Sequence, residues 1–329
     1  MIVTFLRSSS YGTHQLCEHK YFIEYVLGFR GKSNKKASIG NVTHKALEII
    51  ANAKLATQEG KDRFIEEDSG ELLVKNVTPE KAIHLAFEHY RKVDDHHDWS
   101  EEDYRAARKY MYNTLNFHDG VFDPRLRTIV AVEKRFDITI EKPWALYDYS
   151  LPDGTKISGY LGIKGTIDLI TKISDDTYEI LDWKTGKFTK FPSDEEKKFD
   201  DVCNDFQFLL YHWAARQIYT DIPFVMLSVF YSQFLVPFTV PFSDADLVKT
   251  ERLIRKKFDE IRGNRRPRLH KGWWCRYVCE ANKPHEDTGK TKCEYFYNEA
   301  RLKGVDQVLV DIGGQHKISE YGSGGGRHA

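Results

Sequence analysis

Two apolar segments joined by a polar turn, within residues 165 to 187, constrain the fold of this chain most strongly. The first reads Gly-Thr-Ile-Asp-Leu-Ile and carries Asp168, and the second reads Glu-Ile-Leu-Asp-Trp-Lys and carries Asp182 and Lys184. Side chains alternate between the two faces of a β-strand, so Asp182 and Lys184 share one face. The Ser-Asp-Asp sequence at 174–176 is typical of a turn, which would fold the strands back and bring Asp168 beside Asp182.

Two carboxylates and an amine at one strand end are the groups expected at a hard-cation site that faces a phosphate. Mg²⁺ binds few protein carboxylates and keeps other positions open for water and substrate oxygens. A hairpin with Asp and Lys is equally compatible with an ordinary cross-strand charge pair, and the short motif alone does not separate these interpretations. Other motifs in the chain are needed to decide between them.

Two such motifs lie on predicted helices, one before and one after the hairpin. Gln207 and Tyr211 are four residues apart in a helix-like segment and therefore share one face. His44 follows Gly40 near the start of an amphipathic helix. Each motif alone is compatible with a structural role, but all of them in this order are much less expected by chance than any single motif.

In this order, Gly-x-x-x-His, Gly-x-x-Asp, Asp-x-Lys-Thr-Gly and Gln-x-x-x-Tyr resemble the RecB-like branch of the PD-(D/E)XK nuclease superfamily, which includes AddAB-type and CRISPR-associated exonucleases. The resemblance implies an α/β fold with a restriction-endonuclease-like core, in which helices flank a mixed central sheet. A helical insertion and a C-terminal cysteine-rich segment would be added to it. The implied activity is that of a metal-dependent DNA nuclease, expected to be an exonuclease on single strands or DNA ends, in recombination, repair or related DNA processing.

The resemblance also implies the metal ligands. Asp168 and Asp182 would bind Mg²⁺ or Mn²⁺, with the backbone carbonyl of Trp183 as a further ligand. His44 would bind the ion too, as in the RecB-like branch, and imidazole suits Mn²⁺ better than Mg²⁺. Glu133, on a predicted strand, matches a carboxylate that some relatives place near the metal, and an exposed strand acid is the alternative interpretation.

The remaining motif residues would act on the water and the phosphate. Lys184 would orient or help deprotonate the attacking water and offset charge in the transition state. Gln207 and Tyr211 would position the nucleic-acid strand or the lysine. The expected chemistry is metal-assisted hydrolysis of a phosphodiester.

Four cysteines suggest a second site. Cys17 lies on the first predicted helix, and Cys275, Cys279 and Cys293 lie near the C-terminal end. Many RecB-like nucleases bind a [4Fe-4S] cluster with one N-terminal and three C-terminal cysteines, and this arrangement resembles theirs. Such a cluster would close a loop of nearly the whole chain and act as a structural staple. The spacing departs from the family's tight Cys-x-x-Cys, and Glu18 stands where the family generally has proline.

A zinc site is the leading alternative, because cysteine and histidine can bind Zn²⁺ tetrahedrally. In that case Cys17 would be a small buried apolar residue, and four unrelated cysteines are a further alternative. Cys203 fits none of these sites and is expected to be structural. The four residues that could bind zinc are Cys275, Cys279, His285 and Cys293.

A basic stretch that leads into two tryptophans is the candidate DNA-binding segment. Basic side chains neutralise phosphates, and aromatic rings stack on unpaired bases. A solvated helix face explains the helical part of this stretch nearly as well. The residues expected to contact DNA are Arg262, Arg265, Arg266, Arg268, Lys271, Trp273 and Trp274.

Composition limits the remaining possibilities. The chain has 49 Lys and Arg against 49 Asp and Glu, so any electrostatic attraction for DNA must be local. The apolar stretch at the N-terminus is too short for a signal peptide, because polar residues follow within the first eight positions. No apolar run approaches the roughly 18 residues of a membrane span, so we expect a soluble cytoplasmic protein without a membrane partner. Five cysteines without export signals do not suggest a disulfide framework.

The expected partner is DNA, as single strands or ends. No Gly-x-x-x-x-Gly-Lys-Ser/Thr motif occurs, so a helicase would have to be a separate protein, as would a recombinase or an annealing protein. Two other functions are compatible with the sequence. One is a non-catalytic nuclease-fold protein with an iron–sulfur or zinc site that serves as a DNA-binding or structural partner, and the other is a hydrolase of a different phosphate ester.

The order of predicted elements divides the chain into five parts. Helices are predicted at 11–27, from 44 to about 55, from 79, from 101, around 207 and at 243–262, and the stretch before 76 is predicted as a loop. Strands are predicted at 128–140, 159–171, 178–184, 224–231 and 235–242. The expected parts are N-terminal helices (1–49), a helical insertion (50–125), the nuclease core (126–262), a basic and cysteine-rich segment (263–310) and a flexible tail (311–329).

Overall fold

A computed structural model of the protein describes residues 1–285 and 288–313. The predicted flexible tail lies outside these residues except for its first three positions. The strands are β1 (Phe5–Leu6), β2 (Arg63–Glu66), β3 (Gly70–Leu73), β4 (Ile129–Thr139), β5 (Leu146–Ser150), β6 (Lys156–Tyr160), β7 (Gly162–Lys172), β8 (Thr177–Lys184), β9 (Phe224–Tyr231) and β10 (Val236–Pro241). The helices are α1 (Ser8–Leu16), α2 (Glu18–Tyr21), α3 (Lys35–Gln58), α4 (Pro79–Val93), α5 (Glu101–Asn116), α6 (Phe199–Cys203), α7 (Phe206–Ile218), α8 (Asp244–Gly263), α9 (Trp273–Tyr277), α10 (Lys292–Lys303) and α11 (Val305–Asp311).

The chain divides into two compact units, each built from separate segments. Unit 1 contains Met1–Lys32, Phe136–Gly165 and the chain from Val248 onward, and unit 2 contains Ser33–Arg135 and Thr166–Leu247. All the residues predicted for hydrolysis belong to unit 2, and the four cysteines of the predicted cluster belong to unit 1.

Unit 2 is organised around a mixed sheet. Strands β7, β8, β9 and β10 are neighbours in this order, and β4 also pairs with β7. The β7–β8 and β9–β10 pairs are antiparallel, whereas β8 and β9 run parallel, with Asp182 opposite Val229 and Lys184 opposite Tyr231. Helices α3, α4 and α5 pack together against this sheet. The prediction of an α/β fold with a mixed sheet flanked by helices is confirmed.

The core of unit 2 explains the apolar residues in the second half of β8. Leu181 and Trp183 are buried together with Leu47 of α3, Met111 of α5 and Phe230 of β9. A strand that is covered on both faces carries apolar residues continuously rather than at alternate positions. The polar exceptions are Glu179, which is buried and accepts a hydrogen bond of 3.0 Å from the Thr171 hydroxyl, and Asp182 and Lys184 at the end of the strand.

Several helix starts follow directly from the sequence. Thr78 caps α4 by accepting a hydrogen bond from the backbone N–H of Lys81, and Pro79 occupies the first turn. Ser100 and Asp103 form a capping box at the start of α5. The predicted helical insertion accordingly contains two helices whose first residues match the capping signals.

The N-terminal helix differs from its prediction. Helical structure from 11 to 27 is interrupted at Cys17, whose backbone is extended, with φ −159° and ψ 112°. Cys17 instead caps α2, because its Sγ accepts a hydrogen bond from the backbone N–H of Lys20 at 3.4 Å. The cysteine thus sits at a helix boundary rather than within a helix.

The segment before residue 76 also differs, since it contains a β-hairpin rather than a loop. Strands β2 and β3 pair antiparallel from Arg63 opposite Leu73 to Glu66 opposite Gly70. The turn uses Gly70 with φ +78°, a left-handed conformation that glycine adopts without strain. The charged residues in this segment obscure the apolar and polar alternation by which a strand is recognised in a sequence.

Unit 1 contains the short strand β1, which pairs in parallel with the start of β7. The β5–β6 hairpin and helices α1, α2 and α9 to α11 also belong to this unit. The N-terminal amine of Met1 donates hydrogen bonds to the carbonyls of Asn264 (2.6 Å) and Ile261 (3.3 Å). In the described part of the chain, no helix combines the length and apolar character required to cross a membrane.

Candidate active site

The β7–β8 hairpin carries the two aspartates predicted as metal ligands. Leu169 on β7 pairs with Leu181 on β8. Asp168 and Asp182 are the next residues along the two strands in the direction away from the turn, so they lie at adjacent positions. The backbone N–H of Trp183 donates a hydrogen bond of 3.2 Å to Asp168 Oδ2. The hairpin therefore brings the two carboxylates together.

Lys184 lies on the same face of β8 as Asp182 and contacts it directly. Its Nζ is 2.9 Å from Asp182 Oδ2 and donates hydrogen bonds to Asp182 Oδ1 (3.1 Å) and Gln207 Oε1 (3.2 Å). The amide of Gln207 donates in turn to the hydroxyl of Tyr211, at 2.8 Å. Both residues are on α7, which is capped by the side chain of Asp205.

His44 reaches the same site from helix α3. Its Nδ1 lies 3.3 Å from Asp168 Oδ2, and its ring packs edge-on against Trp183 with 6.4 Å between the ring centres. Gly40 explains how this helix comes so close. A Cβ at this position would lie 2.5 Å from Thr185 Oγ1, just beyond Lys184.

Burial makes the charges of this site strongly interdependent. Burial raises the pKa of Asp182 to about 6, with Lys184 opposing and Asp168 adding to the rise. Burial disfavours the charged forms of His44 and Lys184 as well, but the neighbouring carboxylates outweigh it and raise the pKa of both. The same pairing with His44 overcomes burial and holds the pKa of Asp168 below its usual value.

The donor chemistry of the site fits a hard divalent cation. Asp182 Oδ2 is buried and receives no hydrogen bond from the described residues, although the charge of Lys184 is close. Carboxylate oxygens in this state are suitable ligands for Mg²⁺ or Mn²⁺. Among the residues that the structure describes, no three His, Cys, Asp or Glu side chains are already arranged as a metal-ligand set.

Glu133 lies near this site in an unusual backbone conformation. Within β4 it has φ +45°, in the left-handed region that costs a non-glycine residue of order 1 kcal/mol or more. Burial raises its pKa well above the usual value, and Asp168 and Glu48 add to the rise. The predicted carboxylate is thus electrostatically part of the site.

Sequence reasoning missed a charged cluster beside Glu133, which we call the Lys45 cluster. Lys45 Nζ contacts Glu48 at 3.2 Å on α3, and Glu66 (2.5 Å) and Asp68 (2.9 Å) of the β2–β3 hairpin. Lys45 and Glu48 both affect the pKa of Glu133. Only Glu48 had a signal in the sequence, because it lies four residues after His44 and thus on the same side of α3.

In unit 1, the four cysteines predicted for a cluster interact electrostatically. Burial raises the pKa of Cys293 to about 12, and the thiols of Cys279, Cys17 and Cys275 each add to the rise. All four are free thiols. Within the described residues these thiols do not already form a metal-ligand set, but cysteine sulfurs are the donors that an iron–sulfur cluster uses.

Glu18, the residue after Cys17, has a well-defined partner. Its carboxylate accepts hydrogen bonds from the guanidinium of Arg268 (2.7 and 3.0 Å) and from the Asn264 amide (2.8 Å). Burial opposes ionisation, but these bonds lower the pKa of Glu18 to about 2. Through Glu18, the chain next to Cys17 is therefore bonded to Arg268 of the basic segment.

The basic segment is more internally paired than its sequence suggests. Arg262 contacts Asp259, Arg265 contacts Asp306 and Arg268 contacts Glu18, each within 2.7 Å. Arg266, Lys271 and Trp273 are exposed, and Trp274 is half-buried. Cys203 is half-buried at the end of α6, and His285 lies in a turn closed by its backbone bond to Lys290.

Comparison with known proteins agrees with the fold. The sequence model of the PD-(D/E)XK nuclease superfamily matches residues 8–283. A provisionally named exonuclease from Eubacterium rectale is 12% identical over 86% of this chain and 91% of its own, with a TM-score of 0.46. A protein designated SSO0001 is 15% identical over 80% of this chain and 95% of its own, with a TM-score of 0.26. No curated protein matches significantly.

Proposed function

The chain belongs to the PD-(D/E)XK nuclease superfamily, and we propose that it is a metal-dependent deoxyribonuclease, an exonuclease that acts on single strands or DNA ends. The observation that carries this proposal is the placement of Lys184. Its side chain is 28% exposed, and its ammonium group is held between Asp182 and Gln207 at the edge of the two carboxylates, of which Asp182 is buried and Asp168 half-buried. Such a cation can meet a phosphate from solvent while the carboxylates bind an ion behind it.

Nucleases of this superfamily generally use Mg²⁺ or Mn²⁺. We propose that Asp168, Asp182 and the backbone carbonyl of Trp183 hold the ion, with His44 as a further ligand and Glu133 close by. The ion would polarise the phosphoryl group and lower the pKa of a bound water. The hydrogen bond between the backbone of Trp183 and Asp168 supports this assignment, because it orients one carboxylate.

Lys184 would act mainly by charge and orientation. Because the neighbouring carboxylates raise its pKa, the ammonium form persists at neutral pH. It can donate a hydrogen bond to the attacking water and offset negative charge on the phosphate as the new bond forms. Gln207 would position this ammonium group, since its own amide orientation is fixed by Tyr211.

Linear and circular single-stranded DNA of equal sequence would test the proposal with the wild-type protein. We expect end-labelled linear DNA to be degraded with Mg²⁺ or Mn²⁺, circular DNA to persist, and both to persist with EDTA. If circular DNA were degraded as fast as linear DNA, the protein would be an endonuclease rather than an exonuclease. Binding without hydrolysis in any metal would favour the non-catalytic alternative.

We further propose that Cys17, Cys275, Cys279 and Cys293 bind a [4Fe-4S] cluster, with zinc as the alternative metal. The hydrogen bond of 2.9 Å from His19 Nε2 to the Cys293 carbonyl brings the segment that carries Cys17 to Cys293, which supports the four-cysteine set over one that uses His285. The cluster would join residues that are far apart in sequence and so stabilise unit 1 rather than take part in hydrolysis.

Replacing Cys17 by serine distinguishes the two metals. We expect anaerobically purified wild-type protein to contain iron and absorb visible light, and Cys17→Ser to lose both. Cys203→Ser is the matched control and should retain them, because Cys203 lies in unit 2. Zinc retained in Cys17→Ser would instead support the site formed by Cys275, Cys279, His285 and Cys293.

A further inference from the structure

We propose that Arg7 and Arg30 of unit 1 form a binding site for a backbone phosphate of the nucleic-acid substrate. The inference rests on the proposed nuclease function, but the site is separate in sequence from the residues of hydrolysis and from the basic segment at 262–274. Its chemistry is that of two guanidinium groups held on aromatic rings.

Arg7 has no direct anionic partner. Within the described residues, no carboxylate lies at ion-pair distance from it, and its buried Nε has no hydrogen-bond acceptor. Burial lowers the pKa of Arg7 and the charge of Arg30 adds to this, while Tyr25 and the more distant Asp137 oppose it. Removing a guanidinium from water without an anionic partner is unfavourable, so a bound anion would relieve this cost.

Aromatic rings hold the two arginines in place. The Arg7 guanidinium lies over the ring of Phe5 at 5.5 Å, and that of Arg30 lies over Tyr25 at 4.8 Å. Tyr25 is itself stacked on Tyr21, with 5.3 Å between ring centres and an interplanar angle of 14°, and Phe5, Tyr21 and Tyr25 line one common pocket. A guanidinium that is fixed on a ring directs its N–H donors along its own plane, which suits the oxygens of a phosphate.

Neighbouring groups maintain the positive charge of this surface. Lys164 also lies over Phe5, at 5.3 Å. Arg7, Arg30 and Lys164 thus bring three cations to these rings, against two nearby carboxylates, Asp137 (2.8 Å from Lys164) and Glu24. Helix α1 begins directly after Arg7, and its first turn contains no acidic residue. Because the whole chain has no net charge, a local surplus of this kind is what would attract a phosphodiester.

The salt dependence of binding to a single-stranded oligonucleotide tests this site. With EDTA present, so that hydrolysis cannot occur, we expect Arg7→Gln and Arg30→Gln each to weaken binding about tenfold at moderate salt. Each change should also reduce the slope of log affinity against log salt by about 0.7, the value for one phosphate contact on a single strand. Thermal unfolding of each variant would show that unit 1 remains folded.

Arg301→Gln is the matched control, because Arg301 lies over the ring of Tyr297 at 5.7 Å on α10 of the same unit. It should bind with wild-type affinity and slope. An Arg7→Gln variant that behaves like this control would overturn the proposal, even if the protein is an active nuclease. Arg7-dependent binding of inorganic phosphate with unchanged oligonucleotide binding would assign the site to a free anion and also overturn it. Absence of hydrolysis by wild-type protein, with the binding losses intact, would reject only the proposed activity.

Discussion

Replacing Asp182 by asparagine is expected to reduce DNA hydrolysis about a thousandfold or more. Asparagine keeps the shape of the side chain but removes the negative charge, and with it a carboxylate ligand for Mg²⁺ or Mn²⁺. It also removes the partner that holds Lys184 by two contacts of 2.9 and 3.1 Å. Metal binding and the placement of the ammonium group would be lost together.

The same hairpin provides a matched control for this prediction. Asp175 pairs with Lys172 at 2.6 Å near the turn of the hairpin, and its side chain is 99% exposed. Asp175→Asn thus removes an Asp–Lys pair of the same kind without touching the site. We expect it to hydrolyse DNA and take up Mn²⁺ in calorimetric titration as the wild type does. Wild-type hydrolysis in purified Asp182→Asn protein would show that the active site lies elsewhere.

Replacing Lys45 by methionine is expected to lower the free energy of unfolding by about 3 to 4 kcal/mol. Lys45 is 10% exposed and contacts three carboxylates, of which Glu66 is almost completely buried. Methionine fills a similar volume but leaves these negative charges without their cation. The cost is therefore that of an uncompensated buried charge rather than that of a cavity.

Urea-induced unfolding would measure this effect. Lys54→Met, on the same helix, is the control, since Lys54 makes no ion pair within the part of the chain described by the structure. We expect the control to change stability by less than about 1 kcal/mol. Adding Glu66→Gln to Lys45→Met should restore part of the loss, because it removes one of the stranded charges. A Lys45→Met protein as stable as the control would contradict the role assigned to the Lys45 cluster.

The sequence predicted those features that depend on local periodicity. Alternation along β8 was sufficient to place Asp182 and Lys184 on one face, and the turn residues at 174–176 predicted the hairpin that brings in Asp168. Capping residues at Thr78 and Ser100 gave helix starts that the structure confirms. Each of these inferences needs only neighbours within a few residues.

Features that depend on long-range pairing could not be predicted in this way. The partners of Lys45 lie on a hairpin whose charged strands lack a clear apolar alternation. The left-handed conformation of Glu133 is imposed by tertiary structure, since isolated residues of this type avoid it. Arg268 reads as a free basic residue in the sequence, yet its carboxylate partner Glu18 lies near the other end of the chain.

The segmented construction of the two units has a consequence for the order of events during synthesis on the ribosome. All segments of unit 2 are available for folding once residue 247 has left the exit tunnel. Unit 1 is complete only later, because its first 32 residues pack in one unit with the chain from residue 248 onward. Contacts between such distant segments form slowly, because a long loop must close first. The nascent N-terminal segment, with Cys17 in it, can therefore pair with β7 midway through synthesis, but it gains its C-terminal neighbours only after residue 248 has emerged.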